Sequence, residues 1–166
     1  MKLLSDSPED LAIAAAALRE GLLVVIPTET VYGLGANALD ARALARVFEA
    51  KERPSFDPLI VHVSEPEGAD EVADIRVPYA RELMDRFWPG PLTLVLPKKA
   101  CVPDLATSGL PNVAVRCPAH PVAREIIRLA GVPVAAPSAN PFGRLSPTKA
   151  SHVAAWLGDR VDYIVD

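Results

Sequence analysis

The sequence predicts an α/β domain built on a mixed sheet, and three observations carry that prediction. Short apolar runs, such as Leu22-Leu23-Val24-Val25-Ile26, have the pattern of strands covered on both faces. They alternate with stretches whose apolar residues recur at helical spacing between capping residues. Two of the runs, residues 92–96 and 113–116, have no helix between them, so antiparallel pairing is expected alongside parallel crossovers. With 166 residues, half of them hydrophobic, the chain fits one domain with a sizeable core and is no disordered tail.

In chain order, Ser7-Pro8-Glu9-Asp10 supplies an N-cap, a first-turn proline and two acids that suit the helix dipole. Leu11, Ala14, Ala15 and Leu18 follow at helical spacing, and Gly21 is the stop. Residues 22–26 form a strand that Pro27 ends. After a polar loop, Asp40 caps a second helix running to about Glu52, with Leu44, Val47 and Phe48 on one face. Residues 58–63 are a short buried strand, and residues 79–87 a helix halted before Pro89-Gly90-Pro91. The strands at 92–96 and 113–116 come next. A helix over 120–130 ends at Gly131 and leads into a strand at 132–136. Ser146-Pro147 repeats the Ser7-Pro8 signature and predicts a last helix to about Leu157, before a final strand at 162–165.

Composition narrows the function. No apolar run approaches the roughly 18 residues of a membrane span, and Ser5-Asp6-Ser7-Pro8-Glu9-Asp10 follows the opening residues too soon for a signal-peptide core. A cytoplasmic location is expected. Cys101 and Cys117 stand apart, with no C-x-x-C and no histidine at ligand spacing, so no metal site is expected from them. The 17 prolines are spread singly and punctuate elements. A net charge of −4 argues against a generic nucleic-acid coat. The charge is uneven, however: residues 98–149 sum to +5, and 12 of the 17 basic residues are arginine, whose planar fork suits phosphate and carboxylate.

Four element ends carry polar, anion-competent residues. The first is Thr28-Glu29-Thr30-Val31-Tyr32-Gly33-Leu34-Gly35, directly after a strand and richer in polar groups than a simple turn needs. Its alternative reading is a turn with threonine hydroxyls in local backbone bonds. Gly33-Leu34-Gly35-Ala36-Asn37-Ala38 matches the dinucleotide fingerprint only by composition, because its first glycine does not follow the strand or open a helix. Lys51-Glu52-Arg53 ends the second helix, where basic residues either offset the dipole or meet a polyphosphate. Arg116 terminates an apolar strand and either reaches water or holds an anion. Ser138-Ala139-Asn140 follows another strand between prolines, as phosphate or ribose ligands or as an Asx-type turn. His62 lies within a buried strand and matters only if its face reaches the same pocket. Together these ends suggest a single anion-binding pocket.

In order along the chain, these residues resemble the YrdC-like family. The resemblance runs from about Gly21 to Asp166. It rests on residues 27–34, Lys51-x-Arg53-Pro54, Pro58-Leu59-Ile60-Val61-His62, Trp88-Pro89-Gly90-Pro91-Leu92-Thr93, Val113-Ala114-Val115-Arg116 and Ser138-Ala139-Asn140. It implies an open, twisted mixed sheet with flanking helices and a concave basic cavity. It also implies an L-threonylcarbamoyladenylate synthase, a nucleotidyltransferase that joins L-threonine, bicarbonate and ATP and releases pyrophosphate. The product serves the threonylcarbamoyl modification of tRNA adenosine 37 through downstream threonylcarbamoyl transferase proteins.

By family pattern, Thr30, His62, Arg116 and the backbone at Ala136 hold threonine. Lys51, Arg53, Asp57, Asn112, Ser138, Asn140 and Ser146 line the ATP site, with Lys51 and Arg53 as the catalytic pair. Alanine at either of that pair is expected to abolish turnover and leave the fold intact. Without a carboxylate cluster, Mg²⁺ is expected to arrive with ATP. Asp57 stands where the family often has asparagine. Residues 1–166 are read as a single YrdC-like domain lacking the family's C-terminal segment, which would leave the strand at 162–165 on a sheet edge. A tRNA or double-stranded RNA is a candidate partner. The alternative reading is a non-catalytic RNA-binding module using the same basic cavity, favoured by the +5 stretch and opposed by the overall charge and few aromatics. A carbamoyl-phosphate-using relative of HypF type is disfavoured by the missing zinc-finger-like cysteines.

Overall fold

Alternating side-chain direction along short strands puts the core on both faces of one sheet. The computed structural model describes residues 1–52 and 57–166. Among these the strands are β1 (Lys2–Leu4), β2 (Val24–Ile26), β3 (Gly33–Asn37), β4 (Ile60–His62), β5 (Leu94–Pro97), β6 (Asn112–Arg116), β7 (Val134–Ala135) and β8 (Tyr163–Val165). Their order across the sheet is β1-β8-β2-β3-β7-β4-β6-β5. β1, β8 and β2 run parallel, as do β4 and β6, while the β2–β3, β3–β7, β7–β4 and β6–β5 pairs are antiparallel. The sheet is therefore mixed, and the β5–β6 pair is antiparallel as expected.

On one face, Val24, Ile26, Val134 and Val165 meet α1 (Pro8–Arg19) and α6 (Pro121–Ala130) through Leu11, Leu18, Ile126 and Ile127. On the other, Val25, Leu34, Val61, Val115, Ala135 and Ile164 meet the remaining helices. These are α2 (Ala41–Lys51), α3 (Ala69–Val72), α4 (Ala80–Phe87), α5 (Asp104–Thr107) and α7 (Ala150–Leu157). Consecutive residues thus serve opposite cores, which is why the strands show as continuous apolar runs. The caps follow the sequence. Ser7 accepts from the Asp10 N–H at 3.3 Å, Asp40 accepts from the Arg42 N–H at 2.8 Å, and Gly131 ends α6 at φ 64°.

Four expectations are corrected. Residues 33–37, read as loop, form the central strand β3. Glycine is a poor strand former, yet a Cβ on Gly35 would stand 2.8 Å from the Val24 carbonyl oxygen and 3.2 Å from Val134 Cγ1, so only glycine lets the strands approach this closely. Ser146 does not cap a helix: α7 starts at Ala150, and Pro147 instead accepts a backbone bond from Tyr32 at 2.9 Å. The final strand is internal, because the unpredicted β1 pairs along its outer side. β1 was invisible to periodicity because only Leu4 of its three residues is buried. Finally, a short helix, α5, stands between β5 and β6, where the sequence reading placed none, and the two strands pair antiparallel all the same.

Candidate active site

Period-2 alternation on β4 and β6 decides where the site lies. Val61, Val113 and Val115 point into the core on one face of the sheet, so Ile60, His62 and Arg116 project from the opposite face. Register sets His62 beside Arg116 on one side and Val134 on the other. The β2–β3 connection, the segment before β4 and the segment after β7 close around them. The resulting cavity of about 410 Å³ is lined by Thr28, Thr30, Val31, Gly33, Asp57, Pro58, Ile60, His62, Arg116, Ala136, Pro137 and Ser138. Its size is that of a small-ligand site.

Arg116 is the most constrained group in it. Its Nε donates to the Gly90 carbonyl at 3.1 Å and its Nη1 to Thr30 Oγ1 at 3.2 Å, while Nη2 lies 2.6 Å from Glu29 Oε1. The Gly90 carbonyl is presented by the Trp88–Pro91 turn, anchored by the bond from the Gly90 N–H to the Cys117 carbonyl at 2.8 Å. A side chain at Gly90 would collide with the Phe87 carbonyl, which accounts for the glycine. Burial pushes the Glu29 carboxyl up, but Arg116 and the backbone N–H groups of Ala119 and Glu29 outweigh it and hold its pKa below the ordinary value.

His62 is buried, and its Nδ1 donates to the Ile60 carbonyl at 3.2 Å. Burial, then the nearby Arg116 charge, push its pKa down to about 4, so it is a neutral imidazole at physiological pH. Thr28 takes the local role weighed for this loop, donating to the Val31 carbonyl and accepting from the Thr30 and Val31 N–H groups. Thr30 takes the other role, with its hydroxyl on Arg116.

Six of the expected residues, Thr30, Asp57, His62, Arg116, Ala136 and Ser138, line this one cavity. The Ala136 N–H donates to the Ile60 carbonyl at 2.9 Å. Lys51 and Asn140 stand behind the cavity wall. The Lys51 ammonium is buried and donates to the carbonyls of Ser138 and of Asn140, the latter at 2.5 Å. Asn140 Nδ2 donates to the carbonyls of Pro141 (2.9 Å) and Arg144 (2.8 Å). Both residues thus bond the 138–144 segment, so removing Lys51 would also take away bonds to that loop. Asn112 is exposed at the start of β6, opposite Pro97, and Ser146 is exposed beside Pro147. Arg53 lies outside the described residues. Glu29 and Gly90 were not assigned from sequence; the signal for each was its place inside a polar or proline-flanked motif. Cys117 is buried with its thiol pushed up to about 11, and Cys101 is exposed and unbridged, in keeping with idle thiols. Among the described residues no three His, Cys, Asp or Glu side chains gather as a metal site, and no helix is long and apolar enough to cross a membrane.

The family model Sua5_yciO_yrdC, described as telomere recombination, matches residues 16–166. The threonylcarbamoyl-AMP synthase of Pyrococcus abyssi is 54 % identical over 154 residues, which cover 93 % of this chain and 45 % of that protein. The threonylcarbamoyl-AMP synthase of Halorhodospira halophila is 37 % identical over 153 residues, covering 92 % of this chain and 80 % of its own. Among solved structures, P. abyssi Sua5 complexed with L-threonine superposes with a TM-score of 0.95 at 50 % identity, over 99 % of this chain and 49 % of that one. The chain spans about half the length of the P. abyssi and Bacillus subtilis relatives.

Proposed function

The chain belongs to the Sua5/YciO/YrdC family, and from that premise we propose that it forms threonylcarbamoyl-AMP from L-threonine, bicarbonate and ATP. The observation that carries this reading is the cavity's complementarity to a hydroxylated amino acid. Arg116 faces the carboxylate and the Ala136 carbonyl accepts from the amine. The Thr30 hydroxyl and the neutral His62 lie alongside. That the P. abyssi relative was solved in complex with L-threonine supports threonine as the ligand.

In the reaction, the threonine nitrogen bonds to the carbon of bicarbonate with loss of water, giving a carbamate. A carbamate oxygen then attacks the α-phosphorus and pyrophosphate leaves. Little covalent work falls to the protein, so positioning and charge neutralisation dominate. Ser138 and Asp57 adjoin the threonine groups in the cavity, and we place the nucleotide there, with Arg53, Asn112, Asn140 and Ser146 as its further surroundings. Lys51 acts on this site through the loop it holds. Asp57 is the carboxylate in the cavity wall, so Mg²⁺ carried by the triphosphate would meet Asp57, supplying neutralisation of phosphate charge and keeping most of its waters.

A nucleotidyltransferase of this kind belongs in the cytoplasm, as one YrdC-like domain whose product passes to a threonylcarbamoyl transferase for tRNA modification. The RNA-binding reading has no comparable support. The test is pyrophosphate release from Mg·ATP and bicarbonate, with L-threonine, with serine, and with neither. Threonine-dependent release is expected. Release indifferent to threonine, or none despite binding of ATP and threonine, would refute the assignment.

A further inference from the structure

We propose that Glu29 is a built-in competitor for Arg116, displaced by the carboxylate of an incoming amino acid, and that it makes the cavity select amino acids over carboxylates lacking an amine. This rests on the reading of the cavity as an amino-acid site.

Three features of the contact lead there. Arg116 Nη2 is buried and makes no directed hydrogen bond, although Glu29 Oε1 is only 2.6 Å away. The oxygen therefore covers the nitrogen without lying along an N–H direction. Buried donors are nearly always satisfied, and a guanidinium prefers a carboxylate in two parallel bonds. A single off-axis contact is a weaker arrangement than a ligand could make.

Secondly, the rest of the guanidinium is fixed. Nε is held by the Gly90 carbonyl and Nη1 by Thr30 Oγ1, so the fork keeps its aim when Glu29 departs. Thirdly, Glu29 has somewhere to go. Its side chain is 23 % exposed, so water can receive the displaced carboxylate, and it stays close enough to the cavity to act on what enters.

The consequence for selectivity is electrostatic. A displaced Glu29 in water remains negative at neutral pH, as any solvated carboxylate does. It repels a second carboxylate bound on Arg116 unless that ligand brings a positive charge. The ammonium of an amino acid provides one; a hydroxy acid does not. Glu29 thus penalises amine-free carboxylates more than amino acids.

The test compares wild type with Glu29→Gln, which keeps the shape and removes the charge. Calorimetric titrations are run with L-threonine and with 3-hydroxybutyrate, which has the carboxylate and hydroxyl but no amine. Glu29→Gln is expected to tighten 3-hydroxybutyrate by about tenfold and L-threonine by less, about threefold. The threonine preference then shrinks. Weaker binding of either ligand, or unchanged affinities, would overturn the proposal, because a residue that merely supports Arg116 would weaken both. If neither protein binds either ligand, the amino-acid reading falls as well; if wild type binds threonine and the variant is no tighter, the competitor role falls alone. Should the variant not fold, a crystal structure of the wild type with L-threonine decides. Separation of Glu29 from Arg116 beyond about 4 Å is expected, and an ion pair retained at its present distance would overturn the proposal.

Discussion

Replacing Lys51 with methionine separates two roles that the sequence alone could not. The Lys51 ammonium is buried and bonded to the carbonyls of Ser138 and Asn140. Methionine nearly preserves the volume, so the cavity contribution is small. The Asn140 carbonyl loses its bond from the ammonium. The Ser138 carbonyl keeps one from the Asn140 N–H at 3.0 Å. An acceptor left unsatisfied in the interior costs about 1–3 kcal/mol. Removing a buried charge returns part of that, so a net loss of about 2 kcal/mol is expected. With a urea dependence of about 2 kcal/mol per molar, the unfolding midpoint should fall by about 1 M, and Tm by about 4–8 °C. Because the same loop carries Ser138 into the cavity wall, the folded variant should also show a raised KM for ATP. An unchanged midpoint with lost turnover would refute the loop-clamp argument and return Lys51 to direct contact with phosphate.

Two further outcomes follow from the geometry. Folded His62 titrates at about 4 against an ordinary 6.5, so between those values the unfolded chain binds a proton that the folded chain does not. Stability should fall as pH drops through that window, by at most about 1.4 kcal/mol per pH unit from this group. Urea midpoints of His62→Asn should lack that share of the slope, and equal slopes would contradict the burial account. Gly35→Ala places a methyl 2.8 Å from the Val24 carbonyl oxygen. Because backbone cannot yield as a side chain can, a loss of about 1–3 kcal/mol is expected, seen as a Tm lower by about 3–10 °C; an unchanged Tm would show that β3 has room to shift.

Local chemistry was legible wherever a few neighbouring residues settle the structure. The caps at Ser7 and Asp40, the stops at Gly21 and Gly131, and the apolar runs of β2 and β4 act over one or two turns or one strand. The motif series also marked six of the residues that line one cavity. Ser146-Pro147 shows where local signals mislead: the same pair that begins a helix at Ser7 serves here as a backbone partner for Tyr32.

By itself, then, the sequence determined the α/β class and most element positions, because propensity, capping and periodicity are short-range. Only the tertiary structure decided that Gly33–Asn37 is a central strand, that β1 seals the outer side of β8, and that Lys51 holds a loop. It also decided that Arg116 meets Thr30, 86 residues away, and Glu29 beside it. Those outcomes depend on strand order and register. These are set by which surfaces can be buried together across the whole chain, and no local window of residues contains that information.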